Sequence, residues 1–218
     1  MTETVFNIAL PSSIIAWMFV YVLMIRRGIK DKSYGMPVAA LCFNLAWEFY
    51  FSFFASIPLA SRVGNGLFLL FNTGVLYTCL RYGKEDFNWP IFKEYFYSFM
   101  AIMTVVFFVL IHVFVISFND YGMLVTLFAQ LIYSMLFLAM LLRRNSVKGQ
   151  SLYIGIFILI GDACGYAMTP YTHEFFQPDA PMAWIHTVNI YILSLHLVYI
   201  GMYYYVARRD GINPWKRL

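Results

Sequence analysis

Apolar residues in this chain gather into seven blocks, at about 8–25, 36–57, 64–82, 94–117, 122–142, 151–170 and 183–207, separated by short polar links. An α-helix rises 1.5 Å per residue, so about 20 residues cross a hydrocarbon core of about 30 Å. Lipid offers the backbone no hydrogen-bond partners, so a spanning segment is either a helix or a strand of a closed barrel. The alternating strands of a barrel are absent from these blocks. The pattern therefore predicts an all-α integral membrane protein, a bundle of seven transmembrane helices forming one domain over residues 1–218.

The polar links carry the orientation. Arg26, Arg27, Lys30 and Lys32 follow the first block; Arg81, Lys84 and Lys93 follow the third. Arg143, Arg144 and Lys148 follow the fifth, and Arg208, Arg209, Lys216 and Arg217 the seventh. The alternate side carries Glu3, Arg62, Asp120, Glu174 and Asp179. Basic residues collect on the cytoplasmic side, which predicts the N-terminus outside and the C-terminus inside. The first block has no basic leader or small-residue cleavage site and ends at Arg26 and Arg27, as a retained helix does and a signal peptide does not. The link Thr172–Pro181, with Pro178 and Pro181, is a candidate cap over the outer mouth of a cavity.

Composition agrees with the pattern. Of 218 residues 61% are hydrophobic and 12% charged, and mean hydropathy is +0.69; a soluble domain carries about twice that charged fraction. The net charge of +4 and pI near 8.9 do not mark a nucleic-acid binder, because the basic residues sit in short links beside apolar blocks, where they contact lipid headgroups. Cys42, Cys79 and Cys164 all lie inside apolar blocks without metal or disulfide spacing and read as small buried hydrophobes. Trp89, Trp184, Trp215 and Tyr82 fall where interfacial aromatic belts are expected. The bacterial inner membrane and the endoplasmic reticulum both fit such a chain.

Ionisable groups at membrane depth cost roughly 2.5–3.5 kcal/mol on insertion scales, so each asks for a reason. Glu48 lies about 18 Å from the cytoplasmic end of its block, with Asn44 and Ser52 one turn to either side on the same face. A carboxyl so placed is held largely protonated unless a cation pairs with it, and a poised neutral acid is what proton donation requires. Asp162 lies about ten residues into the sixth block, where Gly161 and Gly165 mark a close helix contact and Tyr166 follows one turn on. In the seventh block His186, Asn189, His196 and Tyr203 share a face, with Tyr199 alongside. His112 stands alone and reads as a packing residue. No two of Glu48, Asp162 and His196 lie on one helix at ligand spacing, so no metal is expected. There is no phosphate loop, dinucleotide fingerprint or cysteine cluster, and no cofactor is expected. A retinal protein is excluded by the absence of lysine from residues 183–207.

The run Tyr34-Gly35-Met36, Leu41-Cys42 and Asn44-Leu45-Ala46-Trp47-Glu48 resembles the signature of the small membrane-bound terpene cyclases of fungal meroterpenoid and indole-diterpene pathways, and of their bacterial relatives. Ordered support comes from Asn72 with Val75-Leu76-Tyr77, Gln130-Leu131, Arg144, Ser146, Lys148-Gly149, and Tyr199 with the aromatic run to Tyr205. The resemblance covers nearly the whole chain. It implies an enzyme that protonates a terminal epoxide or alkene of a linear prenyl chain carried on an aromatic or polyketide head. The resulting cation is then trapped by successive double bonds. The implied partners are that prenylated small molecule and membrane lipid, not nucleic acid.

Two carboxylates serve this family, one in the second helix and one in the last. The first falls on Glu48. The second falls three residues before Tyr199, where this chain has His196. Three accounts follow: His196 orients Glu48 or takes up the final proton, Asp162 supplies the missing carboxyl, or the chemistry has drifted. Glu48 about 18 Å from the inner face and His196 about 20 Å from the outer face are at compatible depths in a core of about 30 Å. The expected site thus has Glu48, Asp162 and His196 as catalytic residues facing inward, one bridging substrate apart. The expected substrate contacts are Asn44, Trp47, Asn72, Tyr166, Asn189, Tyr199 and Tyr203. The rival class is a binding protein or small transporter that uses the same polar groups to hold a ligand or relay protons. The chain shows no three-helix repeat of the kind small transporters carry.

Overall fold

The computed structural model describes residues 2–176 and 181–218. Asp179 and the rest of residues 177–180, part of the proposed outer cap, lie outside the described residues. The described residues form eight α-helices: α1 Thr2–Asp31, α2 Val38–Phe53, α3 Leu59–Tyr82, α4 Pro90–Glu94, α5 Phe96–Phe118, α6 Met123–Arg144, α7 Leu152–Phe176 and α8 Met182–Arg209. Two short 3-10 turns, Gly83–Asp86 and Pro214–Lys216, complete them. Six helices are long and apolar enough to cross a membrane (α1, α3, α5, α6, α7 and α8), and α2 is apolar but shorter.

Several helix ends depart from the sequence pattern, each for a local reason. The second apolar block runs on to residue 57, yet α2 stops at Phe53. Pro58 disfavours helical backbone at the residue before it. The guanidinium of Arg62 closes the end, donating to the carbonyls of Ser52 at 3.0 Å and Phe53 at 3.4 Å. Conversely, α1 continues through Pro11 and beyond Arg26 and Arg27 to Asp31, so the basic cluster assigned to the first link stands mostly on a helix. Arg27 is itself buried and pairs with Asp31 one turn on, which removes it from the residues that face headgroups. The third link contains α4, whose first residue, Pro90, is suited to a helix start.

The chain divides into two compact units. One comprises Met24–Gly122 with Lys148–Gln150. Here α2 packs between α3 and α5, burying Leu41, Cys42, Ala46, Phe51, Val75, Cys79 and Ile111. A polar clasp closes one end: the Gly149 amide donates to Asp31 Oδ2 at 2.8 Å, and the Tyr34 hydroxyl to Asp86 Oδ2 at 3.0 Å. Gly149 has φ +77°, and a Cβ there would sit 2.5 Å from the Tyr34 carbonyl oxygen, so only glycine fits the clasp.

The other unit comprises Met1–Leu23, Met123–Val147 and Ser151–Leu218. In it α8 packs on α6 and α7, with Leu127, Ile185 and Ile192 as a buried cluster. Phe6 meets Tyr171 at 4.4 Å between centroids and Phe19 stacks on Phe157 at 5.0 Å, joining the first part of α1 to α7. Of the two glycines read as a close helix contact, only Gly161 is one; Gly165 faces open space. Gly155, two turns earlier, is the other close approach, packing against Tyr199 and Ile200.

Candidate active site

Glu48 lies on the buried face of α2 together with Asn44 and Ser52, as the four-residue spacing requires. The residue is only 3% exposed. Asn72 of α3, fully buried, donates its amide to both carboxyl oxygens of Glu48 at 2.7 Å each. Asn72, expected as a substrate contact, is a direct partner of the acid. The amide, itself uncharged, holds the carboxyl in place through hydrogen bonds. Ser52 donates to the Glu48 carbonyl at 2.6 Å, and Asn44 donates to the Met36 sulfur at 3.8 Å. Trp47 meets Phe51 at 4.7 Å between ring centroids in a tilted arrangement, and its indole N–H has no hydrogen-bond partner among the described residues.

The second polar centre belongs to the other unit. His196 Nε2 and Asp162 Oδ2 are 2.7 Å apart, with side chains 3% and 7% exposed. The structure brings together the two residues between which the sequence left the second carboxyl undecided. The position three before Tyr199 is an imidazole, and the carboxyl reaches it from α7. At this distance the carboxyl and the imidazole are joined by one hydrogen bond.

The remaining candidates separate by burial. Tyr199 and Tyr203 are buried with His196 on α8, and the Tyr199 hydroxyl lacks a partner among the described residues. His186 and Asn189 are half-buried and do not join the pair: the Asn189 amide bonds back to the Ile185 carbonyl at 2.9 Å, and His186 meets the ring of Tyr166 at 5.6 Å. His112 packs edge-on against Tyr50 at 5.7 Å. Among the described residues no three His, Cys, Asp or Glu side chains are grouped as a metal ion would need.

One residue at the second centre escaped the sequence pattern. The indole of Trp17, on α1, lies against Gly161, the residue before Asp162. Its position halfway along an apolar block was a usable signal, because interfacial tryptophans belong near helix ends.

Comparison with known proteins gives a consistent picture. Terpene cyclase penB of Penicillium crustosum is 25% identical over 208 residues, covering 92% of this chain and 84% of penB. Terpene cyclase dpchB of Colletotrichum higginsianum is 27% identical over 215 residues, covering 92% and 86%. A shorter match, 40% identical over 76 residues, joins 34% of this chain to 31% of mfmH, a Pyr4-family terpene cyclase of Annulohypoxylon moriforme. No solved structure matches the chain. The family described as Pyr4-like transmembrane terpene cyclases matches residues 2–209, nearly the whole length. With its apolar helices and that match, the chain is an integral membrane protein and belongs to the Pyr4-like transmembrane terpene cyclases.

Proposed function

We propose that the protein is a membrane-embedded terpene cyclase in which Glu48 donates the initiating proton to a linear prenyl chain on an aromatic or polyketide head. The observation that carries this reading is a carboxyl sunk in a helix pair and gripped through both oxygens by a neutral amide. The proton passes to the epoxide oxygen, or to the terminal alkene carbon, and the carbon left electron-deficient is attacked by the next double bond. Each closure moves the cation along the chain until a C–H proton is lost and the last double bond forms. Substrate and product are isomers, and the departing proton balances the one Glu48 gave. Aromatic faces such as Trp47 and Phe51, one turn apart beside Glu48, suit a passing cation. The Asp162–His196 pair, able to take or return one proton, suits the closing deprotonation.

The test is incubation of membranes carrying the protein with prenylated phenols and their terminal epoxides. The expected product has unchanged mass, fewer olefinic signals by NMR, and new ring carbons. Saturable binding of these probes without conversion would favour a binding protein instead.

The same reading has seven spans, α2 among them, with the N-terminus outside and the C-terminus in the cytoplasm. The charge asymmetry of the links supports it. A cysteine probe introduced in Thr172–Pro181 is expected to react with an impermeant reagent applied from outside, and one in Arg143–Gln150 is not. The opposite labelling would reverse the orientation.

A further inference from the structure

We propose that the seam between α7 and α8, at Gly165, Asn189 and His186, seats the head of the substrate, an aromatic ring whose hydroxyl donates to His186 Nδ1. The proposal rests on the reading of the protein as a cyclase in which the Asp162–His196 pair closes the reaction.

The first observation is an opening on a buried face. At about 100° per residue, Ile160, Ala163, Ala167 and Pro170 form the exposed stripe of α7, and Gly165 lies on the opposite side. Its neighbours along that side, Ile158, Gly161, Asp162 and Thr169, are buried. A Cβ on Gly165 would nevertheless meet no atom within 4 Å, whereas one on Gly161, a turn earlier, would lie 2.7 Å from the Trp17 indole nitrogen. An unfilled position in the middle of an inward face is a recess, not a surface turned to lipid. The second observation is the same anomaly on α8. Asn189 stands on the inward arc between Ile185 and Ile192, which are 1% and 2% exposed, yet it is only half-buried. The third is a polar atom left open at that level. His186 Nδ1 is buried and has no hydrogen-bond partner among the described residues. Its ring stands edge-on to that of Tyr166, the residue after Gly165, at 5.6 Å between centroids, which puts the imidazole and the bare glycine on one seam.

The direction of the cyclisation says which part of the substrate belongs there. The cation starts at the terminal carbon and moves toward the head, so the closing proton leaves from the head end of the chain. Gly165 is three residues from Asp162, about 4.5 Å along the axis, so a head seated in the recess sets the last carbons beside the Asp162–His196 pair. A buried imidazole nitrogen without a partner is costly until a ligand fills the contact. With its proton on Nε2, His186 accepts at Nδ1, and a hydroxyl is the matching donor.

The test uses two unreactive probes: a phenol carrying a saturated farnesyl chain, with no double bond to protonate, and the matching benzene without the hydroxyl. The detergent-solubilised protein is expected to bind the phenol about tenfold more tightly than the benzene, the scale of one buried hydrogen bond. H186F keeps a ring and loses the acceptor, so it should bind the two probes alike. G165L fills the recess and should weaken both by about tenfold or more. G201L adds the same side chain at an exposed glycine of α8 with equally open surroundings, and should change neither. G165A places one carbon in open space and is the better helix former, so its unfolding midpoint should not fall below that of the wild type. Unchanged binding in G165L, or a lowered midpoint in G165A, would overturn the recess. A preference for the phenol that survives H186F would overturn the hydroxyl contact. If the wild type binds in the expected pattern but leaves the terminal epoxide of a farnesylated phenol unconverted, the cyclase reading fails and the head-group site stands. Conversion with a KM untouched by G165L defeats the site and leaves the cyclase.

Discussion

Replacing Glu48 by glutamine is expected to lower turnover of a prenylated epoxide by about 10²–10⁴, the usual worth of a positioned acid. The protein should remain folded. Glutamine fills the same volume, and the Asn72 amide can turn so that one donor and one acceptor face each other across the contact now made by Asn72 Nδ2 and the two carboxyl oxygens. What disappears is the transferable proton. The loss should fall on kcat, because the apolar prenyl chain is bound by surfaces the change does not touch. Asn72→Ala checks the assignment from the other side. It leaves the acid in place but removes its grip, and a loss of about tenfold is expected as the carboxyl loses a buried hydrogen bond. Full turnover by E48Q with a verified substrate would remove Glu48 as the donor.

Asp162→Asn and His196→Gln are each expected to lower turnover by about 10²-fold, and the two together no further than the worse single change. The reason is geometric. With Oδ2 and Nε2 at 2.7 Å, neither residue handles a proton without the other, so removing either dismantles the pair. The competing accounts give different rankings. A second acid at Asp162 acting alone would make D162N severe and H196Q mild; a histidine acting alone would reverse them. Restoring the family's carboxyl separates these further. H196D in the wild-type background sets two carboxyls side by side to compete for one proton. H196D combined with D162N gives one carboxyl beside a neutral amide, and is expected to recover at least tenfold over D162N alone. Losses that multiply in the D162N/H196Q protein would show that the two residues act separately.

Most of the fold was legible because lipid makes secondary structure almost a matter of counting: long apolar blocks can only be helices there. The buried stripe of Asn44, Glu48 and Ser52 followed from spacing alone. Periodicity does not report which helix answers which. That Asn72 grips Glu48, and that Asp162 meets His196 rather than competing with it, are contacts between helices that local pattern cannot contain. Trp17 was lost among many aromatics for the same reason. The end of α2 was misjudged because Phe54, Ala55 and Ile57 continue the apolar run, while the features that stop it, Pro58 and the Arg62 side chain, lie beyond it.

That early stop has a consequence for the bilayer. Sixteen residues make α2 about 24 Å long, some 6 Å short of an average hydrocarbon core of about 30 Å. A span too short for its surroundings draws the lipid inward, at fractions of a kcal/mol per Å of mismatch. The guanidinium on the last carbonyls of α2 is the group that would meet the dimpled headgroups. Glu48 lies five residues from that end, about 8 Å along the helix axis. On the seven-span reading, an acid that sequence counting sets near the midplane would then lie closer to one aqueous face than to the other. If α2 is a span and Glu48 the proton donor, as proposed, membrane thickness, by deepening or relieving the dimple, would control how readily that acid exchanges its proton with the aqueous phase.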